Sequence, residues 1–169
     1  MQKITPCLWF EKDCEEGVNL YISVFNSAPL KKAESKIVTI QRYPEGIENP
    51  PWPKEVEGKV LTVIFELAGQ GFMALDGGPG VFVKSGVVSF AVECETQEEI
   101  DHFWSKLSAN PQAEQCGWLQ DKYGFSWQIT PNMNKWLQGT DKEGSKRAMQ
   151  AMLKMKKIVI ADLEKAYNG

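Results

Sequence analysis

The chain of 169 residues has little histidine, little cysteine and no long apolar run. Its only histidine is His102, so Ser-His-Asp and Cys-His nucleophilic schemes could operate only if His102 itself lay in the site. The helical period of its segment places His102 on the solvent side, which favours an ordinary surface residue over a catalytic base. The four cysteines form no CxxC pair and no disulfide framework, so we expect free thiols in a reducing compartment.

The chain also lacks the features of a membrane-bound or nucleic-acid-binding protein. The apolar stretch at 60–65 has the length of a strand and is too short to span a bilayer, and no apolar signal core follows Lys3. The net charge is −3 and the sequence pI is near 5.3, without a basic footprint for nucleic acid. With 43% hydrophobic residues, the chain can bury a core. We therefore predict a cytoplasmic globular domain with no membrane or nucleic-acid partner.

One sequence pattern occurs twice along the chain. The letters DCEE at 13–16 and TQEE at 96–99 both follow an apolar run and match a capping box that opens a helix. Tyr21 and Trp104 lie at the same distance behind their respective boxes. The cap, the acidic residue and the aromatic residue of the first segment are each separated from their counterparts in the second by the same number of residues. We therefore interpret the pattern as an internal repeat.

Each repeat predicts a βαβββ module, and the two modules together predict an α+β fold. The expected modules span residues 3–80 and 85–131, within one domain at 1–131. A helical extension is expected at 132–169. The predicted strands are 5–10, 36–41, 59–67 and 71–75 in the first module, and 87–94, a weak strand at 113–115, 116–120 and 125–130 in the second.

Two segments lie outside the repeat. Residues 42–58 contain four prolines around Trp52, and their length is compatible with a lid, a dimer arm or a plain hairpin connection. The extension at 132–169 carries a further predicted cap at 140–143 and an apolar stripe that includes Met149 and Met152. We expect it to dock on its own domain or on a dimer partner, and an interaction role for both segments stays open.

Three stretches resemble the vicinal oxygen chelate superfamily of glyoxalase and bleomycin-resistance proteins. They are FEKDCEEGVNLY at 10–21, GFMALDGGP at 71–79 and CGWLQDKYGFSWQITP at 116–131. The last two are similar to the PhnB-like branch named after 3-demethylubiquinone-9 3-methyltransferase. The resemblance covers about residues 3–131. It implies two modules that form a half-open cup, as in glyoxalase and bleomycin-resistance proteins, within a homodimer.

The resemblance also implies where a metal site would be. Catalytic members of the superfamily hold a divalent ion with His, Glu or Gln from the first and last strands of each module. Those positions fall near Pro6, Leu75, Val87 and Gln128, where only the last side chain has a donor atom. A shift of two residues, to Leu8, Met73, Ser89 and Ser126, does not restore the site. We predict no metal and no other cofactor.

Strand alternation then gives a candidate ligand site on the concave side of the cup. We expect a small apolar or aromatic molecule there, with Gln128 as the main hydrogen-bonding group and Asp76 and Tyr123 near the rim. The leading hypothesis is a metal-independent small-molecule-binding protein. The alternatives are a lyase, isomerase or dioxygenase of the superfamily, and a methyltransferase as the family name suggests, although no glycine-rich turn follows the first strand. The predicted ligand-binding residues are Leu8, Phe10, Met73, Leu75, Ser89, Ser126 and Gln128.

Overall fold

A computed structural model of the chain describes residues 4–30, 33–49, 51–80 and 87–169. These residues belong to two compact units. The first unit lies within Met1–Ser27 and Lys31–Val83, and the second within Ala28–Leu30 and Lys84–Gly169. Each unit is built from helices and one small mixed sheet, which confirms the α+β class.

The first unit is a helix packed on a four-stranded sheet of order β1-β4-β3-β2. Strand β1 pairs with β4 in parallel, and the other neighbours are antiparallel. The order of elements is the predicted βαβββ. Their bounds are β1 Cys7–Phe10, α1 Cys14–Asn26, β2 Lys36–Arg42, β3 Val60–Leu67 and β4 Gln70–Asp76.

Helix α1 buries Val18 and Tyr21 completely against this sheet. The start of α1 differs from the predicted capping box. Asp13 has a φ of 71° and its side chain makes no capping hydrogen bond, whereas the Cys14 amide donates to Asp76 Oδ1 at 2.8 Å. The acceptor for the first turn therefore comes from the end of β4, 62 residues away.

The second unit contains a three-stranded sheet of order β5-β7-β6, with β5 and β7 parallel. Here the predicted capping box is confirmed, because the Thr96 side chain accepts from the Glu99 amide and Glu99 accepts from the Glu95 amide. The weak strand predicted at 113–115 is wrong. Pro111–Ala113 form a 3-10 turn and Gln115 makes only an isolated bridge. The elements are β5 Ser89–Cys94, α2 Gln97–Leu107, β6 Trp118–Gln120 and β7 Ser126–Pro131.

The C-terminal extension is helical, as predicted, and packs within the second unit. The amides of Cys116 and Gly117 donate to the carbonyls of Met155 and Lys156, and Ile158 is fully buried. Helix α4 is capped by Asp141 rather than by the predicted threonine one position earlier. Among the described residues, no helix is long and apolar enough to cross a membrane. The helices are α3 Asn134–Leu137, α4 Lys142–Met152 and α5 Ile160–Asn168.

Candidate functional site

A pocket of about 520 Å³ lies in the first unit, where β1 and β4 end and β3 begins. Its volume is within the range of small-molecule sites. One wall comes from the proline-rich segment 42–58, and the floor comes from the strand ends. We call it the loop pocket. It is lined by Glu11, Lys12, Tyr43, Pro51, Trp52, Pro53, Val56, Lys59, Val60, Leu61, Asp76, Gly77, Gly78 and Pro79.

The proline-rich segment is held against its own module by Tyr43. The Tyr43 amide donates to the Lys59 carbonyl, and the Gly58 amide donates back to the Tyr43 carbonyl. The Tyr43 hydroxyl donates to the Asp76 carbonyl at 2.7 Å, and its ring lies 5.5 Å from the Trp52 ring at a tilt of 54°. These contacts fix two aromatic rings as one side of the loop pocket.

Asp76 is the half-buried charged group of the loop pocket. Burial raises the pKa of its carboxyl, and hydrogen bonds from the Cys14 amide and thiol oppose this shift only in part. Burial, together with the nearby Asp76 charge, raises the pKa of the Cys14 thiol to about 12. The same two causes raise the pKa of the Tyr43 hydroxyl. The Asp76 charge is therefore incompletely compensated by its surroundings.

The connector after β4 is fixed by Trp9. The Trp9 indole donates to the Gly78 carbonyl at 3.1 Å, and a Cβ at Gly77 would lie 2.1 Å from the Trp9 ring. Glycine at position 77 thus permits the close approach that shapes this edge of the loop pocket. A second indole, that of Trp52, has a buried N–H with no hydrogen-bond partner among the described residues.

The predicted site residues of the second unit share one face of its sheet. In the register of β5 and β7, Ser89 lies beside Ser126, and Ala91 lies beside Gln128. The Gln128 amide donates to Ser89 Oγ at 2.9 Å. The opposite face is apolar and contains the buried Trp127. Ser89, Ser126 and Gln128 thus lie on one face, although Ser126 is only 8% exposed, and a ligand role for these residues stays a prediction.

In the first unit the predicted grouping needs a correction. Met73 and Leu75 lie beside Cys7 and Trp9 in the β1–β4 register, so these four side chains share a face. Leu8 and Phe10 point to the other face, where they are only 4% and 1% exposed in the core under α1. Leu8 and Phe10 are therefore core residues and do not share a surface with Met73 and Leu75.

The side chains at the superfamily's metal positions do not fit a divalent ion. Pro6, Leu75 and Val87 carry no donor atom, and the single amide oxygen of Gln128 does not make a ligand set for a divalent ion. Across residues 4–30, 33–49, 51–80 and 87–169, no group of three or more His, Cys, Asp or Glu side chains could hold a metal ion.

The sequence contains the components of the loop pocket but does not predict their arrangement. It predicts Asp76 near a rim, leaves the role of the segment around Trp52 open, and makes no prediction for Tyr43. The available signal was an aromatic residue directly after a strand and a second one among prolines, since prolines restrict a loop to few conformations. His102, half-buried on α2 with its ring edge-on to Phe103, lies outside the loop pocket.

Comparison with known proteins finds one matching family and several similar solved structures. Residues 2–130 match the family described as 3-demethylubiquinone-9 3-methyltransferase. A solved structure of a PhnB protein from Bacillus cereus is 40% identical to this chain with a TM-score of 0.59. The match covers 77% of this chain and 99% of that one. Protein PA1353 from Pseudomonas aeruginosa is 18% identical with a TM-score of 0.51, covering 78% and 98%, and is similar in fold alone. No curated protein matches the chain.

Proposed function

The chain belongs to the family described as 3-demethylubiquinone-9 3-methyltransferase, and we propose that within this family it is a metal-independent small-molecule-binding protein. The observation that carries the proposal is the loop pocket of about 520 Å³ between the strand ends and the proline-rich segment. Such a volume suits a molecule the size of a substituted benzene ring or somewhat larger.

The lining of the loop pocket supports a ligand with an apolar or aromatic body. Tyr43, Trp52, Val56 and Val60 supply ring faces and branched side chains, and three prolines supply rigid apolar surface. Binding to such walls is favoured by the apolar area that leaves water. Few polar groups are offered, which is typical of sites that hold a small molecule in one orientation.

Methyl transfer, which the family description names, is the less favoured reading of this chain. A common S-adenosylmethionine site places a glycine-rich turn after the first strand of a parallel sheet. Here β1 ends at Phe10, and residues 11–13 lead directly into α1 without a glycine. The superfamily's lyase, isomerase and dioxygenase reactions require a donor set that this chain does not carry at the corresponding positions.

A fragment screen with two site variants tests the proposal. Protein treated with a chelator is titrated with small aromatic and apolar compounds, and binding is followed by thermal shift and by the indole N–H resonances. The Trp52 resonance is identified by its loss in Trp52→Phe. We expect binders that shift this resonance and that lose affinity at least about tenfold in Trp52→Ala, because a ring wall is removed.

Two further variants separate the loop pocket from the predicted surface of the second sheet. Gln128→Ala tests that surface, and Trp104→Ala on α2 serves as a matched tryptophan control outside the loop pocket. Binders that depend on Gln128 and leave the Trp52 resonance unchanged would move the site to the second sheet. A screen without any binder would reject the proposed function, and activity or binding that requires an added divalent metal would reject its metal independence.

A further inference from the structure

The loop pocket combines two aromatic rings with a half-buried carboxylate. The rings of Tyr43 and Trp52 present an edge-tilted pair on one wall, and Asp76 lines the same pocket. The Tyr43 hydroxyl donates to the backbone carbonyl of Asp76, and the Asp76 carboxylate separately accepts the Cys14 amide, so each group is held in place by the fold. Ring faces and a fixed negative charge are the two elements that proteins use to hold organic cations.

The two segments next to the loop pocket carry a net negative charge, the same sign as the Asp76 carboxylate. Residues 11–16 contain four acids and one lysine, and residues 42–59 contain four acids and three basic residues. One of those basic residues, Arg42, lies 4.0 Å from Glu15, so these two opposite charges largely offset each other and the remaining acids set the sign. The potential at the pocket mouth is therefore expected to be negative, and it would attract cations and repel anions.

Two lysines also line the loop pocket, but we expect them to reduce its negative potential only slightly. Lys12 and Lys59 are exposed, and long lysine side chains keep their ammonium groups in water. Asp76 is half-buried, so its charge is screened less than theirs. The carboxylate is expected to dominate the interaction with a molecule that enters the pocket, because electrostatic interactions strengthen as water is excluded.

Resting on the proposed function, we infer that the loop pocket selects an organic cation, an aromatic or apolar molecule that carries an ammonium group. The ammonium group lies against the Tyr43 and Trp52 rings within reach of the Asp76 charge, and the apolar body contacts Val56 and Val60. The ligand thus adds a positive charge beside the Asp76 carboxylate, whose hydrogen bond from the Cys14 amide comes from a neutral donor.

Three probes with one ring and different charge test this inference in the full-length protein. Benzyltrimethylammonium, benzyl alcohol and benzoate are titrated at low salt and followed by calorimetry and by the Trp52 indole resonance. We expect the cation to bind about tenfold more tightly than the alcohol, with benzoate weakest. Raising the salt concentration should reduce the preference for the cation.

The variant Asp76→Asn isolates the charge. Asparagine can still accept the Cys14 amide bond, so α1 stays capped while the negative charge is lost. We expect the preference for the cation over benzyl alcohol, taken as the ratio of their affinities, to fall at least threefold in this variant. The exposed Asp162 in the second unit gives a matched control, and Asp162→Asn should leave all three affinities as they are.

The outcomes separate this inference from the proposed function. If none of the probes binds and a wider compound screen is also negative, the proposed function fails and the inference fails with it. If benzyl alcohol or benzoate binds as tightly as the cation at the Trp52 resonance, the pocket binds small molecules but does not select a cation. A cation preference that survives in Asp76→Asn overturns the assignment of the carboxylate.

Discussion

Asp76 links a strand end, a helix start and the loop pocket, and its replacement gives a quantitative test of the structure. Asp76→Ala removes the acceptor for the Cys14 amide, which lies 2.8 Å from Asp76 Oδ1. Asp76→Asn keeps an acceptor and removes the charge. The hydrogen bond from the Tyr43 hydroxyl goes to the Asp76 backbone, so both variants retain it. The two substitutions therefore separate the capping bond from the charge.

The size of the capping effect follows from the bond that is lost. Replacing an N-cap acceptor by alanine costs about 1 kcal/mol, within a range of roughly 0.5–2 kcal/mol. For a chain of this length, about 1 kcal/mol corresponds to a fall in Tm of about 3 °C. We expect Asp76→Ala to unfold at correspondingly lower temperature and urea concentration. Asp13→Asn, which changes a neighbouring charge without a side-chain cap bond, should have almost no effect.

The pH dependence of Asp76→Asn gives the sign of the charge effect. Because burial raises the folded-state pKa of Asp76, the folded state holds this proton more tightly than the unfolded state does. The stability from that proton is fully present below the unfolded pKa of about 4 and is lost as the pH rises through the folded pKa. Relative to Asp76→Asn, the wild-type protein should therefore become less stable as the pH rises.

The assay is equilibrium urea unfolding of wild type, Asp76→Ala, Asp76→Asn and Asp13→Asn at several pH values. Far-UV circular dichroism reports helix content, and the midpoints give the differences in stability. Asp76→Ala with wild-type stability at every pH would show that Asp76 does not cap α1. A difference between wild type and Asp76→Asn that does not change with pH, or that changes in the opposite direction, would refute the burial of the charge.

Three further predictions concern other parts of the fold. In native protein, iodoacetamide should label the exposed Cys7 before Cys14, whose thiol is buried with a pKa of about 12, and mass spectrometry should find Cys14 modified only after unfolding. Gly117→Ala should lower the free energy of unfolding by about 1–3 kcal/mol more than Gly78→Ala does. Both glycines have positive φ, but only at Gly117 would an added Cβ be crowded, with the nearest atom 2.7 Å away. Equal urea midpoints for the two variants would contradict this prediction. Ile158→Ala should lower the free energy of unfolding by about 2–5 kcal/mol in urea titrations, since the side chain is fully buried. A loss under about 0.5 kcal/mol would show that the C-terminal extension is not part of the core.

The two halves of the chain show why the sequence can indicate the faces of a strand in one module and not in the other. In β5, Ser89 and Glu93 alternate with Phe90 and Val92, so the polar face can be identified from one strand. In β1, the residues from Cys7 to Phe10 are all apolar, and alternation gives two equal choices. Only the register with β4 decides which face lies under α1.

The proline-rich segment shows the same limit for loops. Its composition left a lid, an arm and a plain connection open, because prolines restrict conformation without specifying a contact. Its position follows from the hydrogen bonds of Tyr43 with Lys59 and Asp76, and the Trp52 ring contacts Tyr43 within the segment. A single sequence carries no direct signal for such contacts.

The sequence by itself determined the helices, most strands, the repeated βαβ start of each module and the resemblance to the family. These depend on interactions between residues a few positions apart, such as the bond from the Glu99 amide to Thr96. The tertiary structure decided the face of β1, the capping of α1 by Asp76, the docking of the C-terminal extension and the loop pocket. Each of these joins residues that are distant in the chain, and their free energy depends on a geometry that exists only after the sheet has formed.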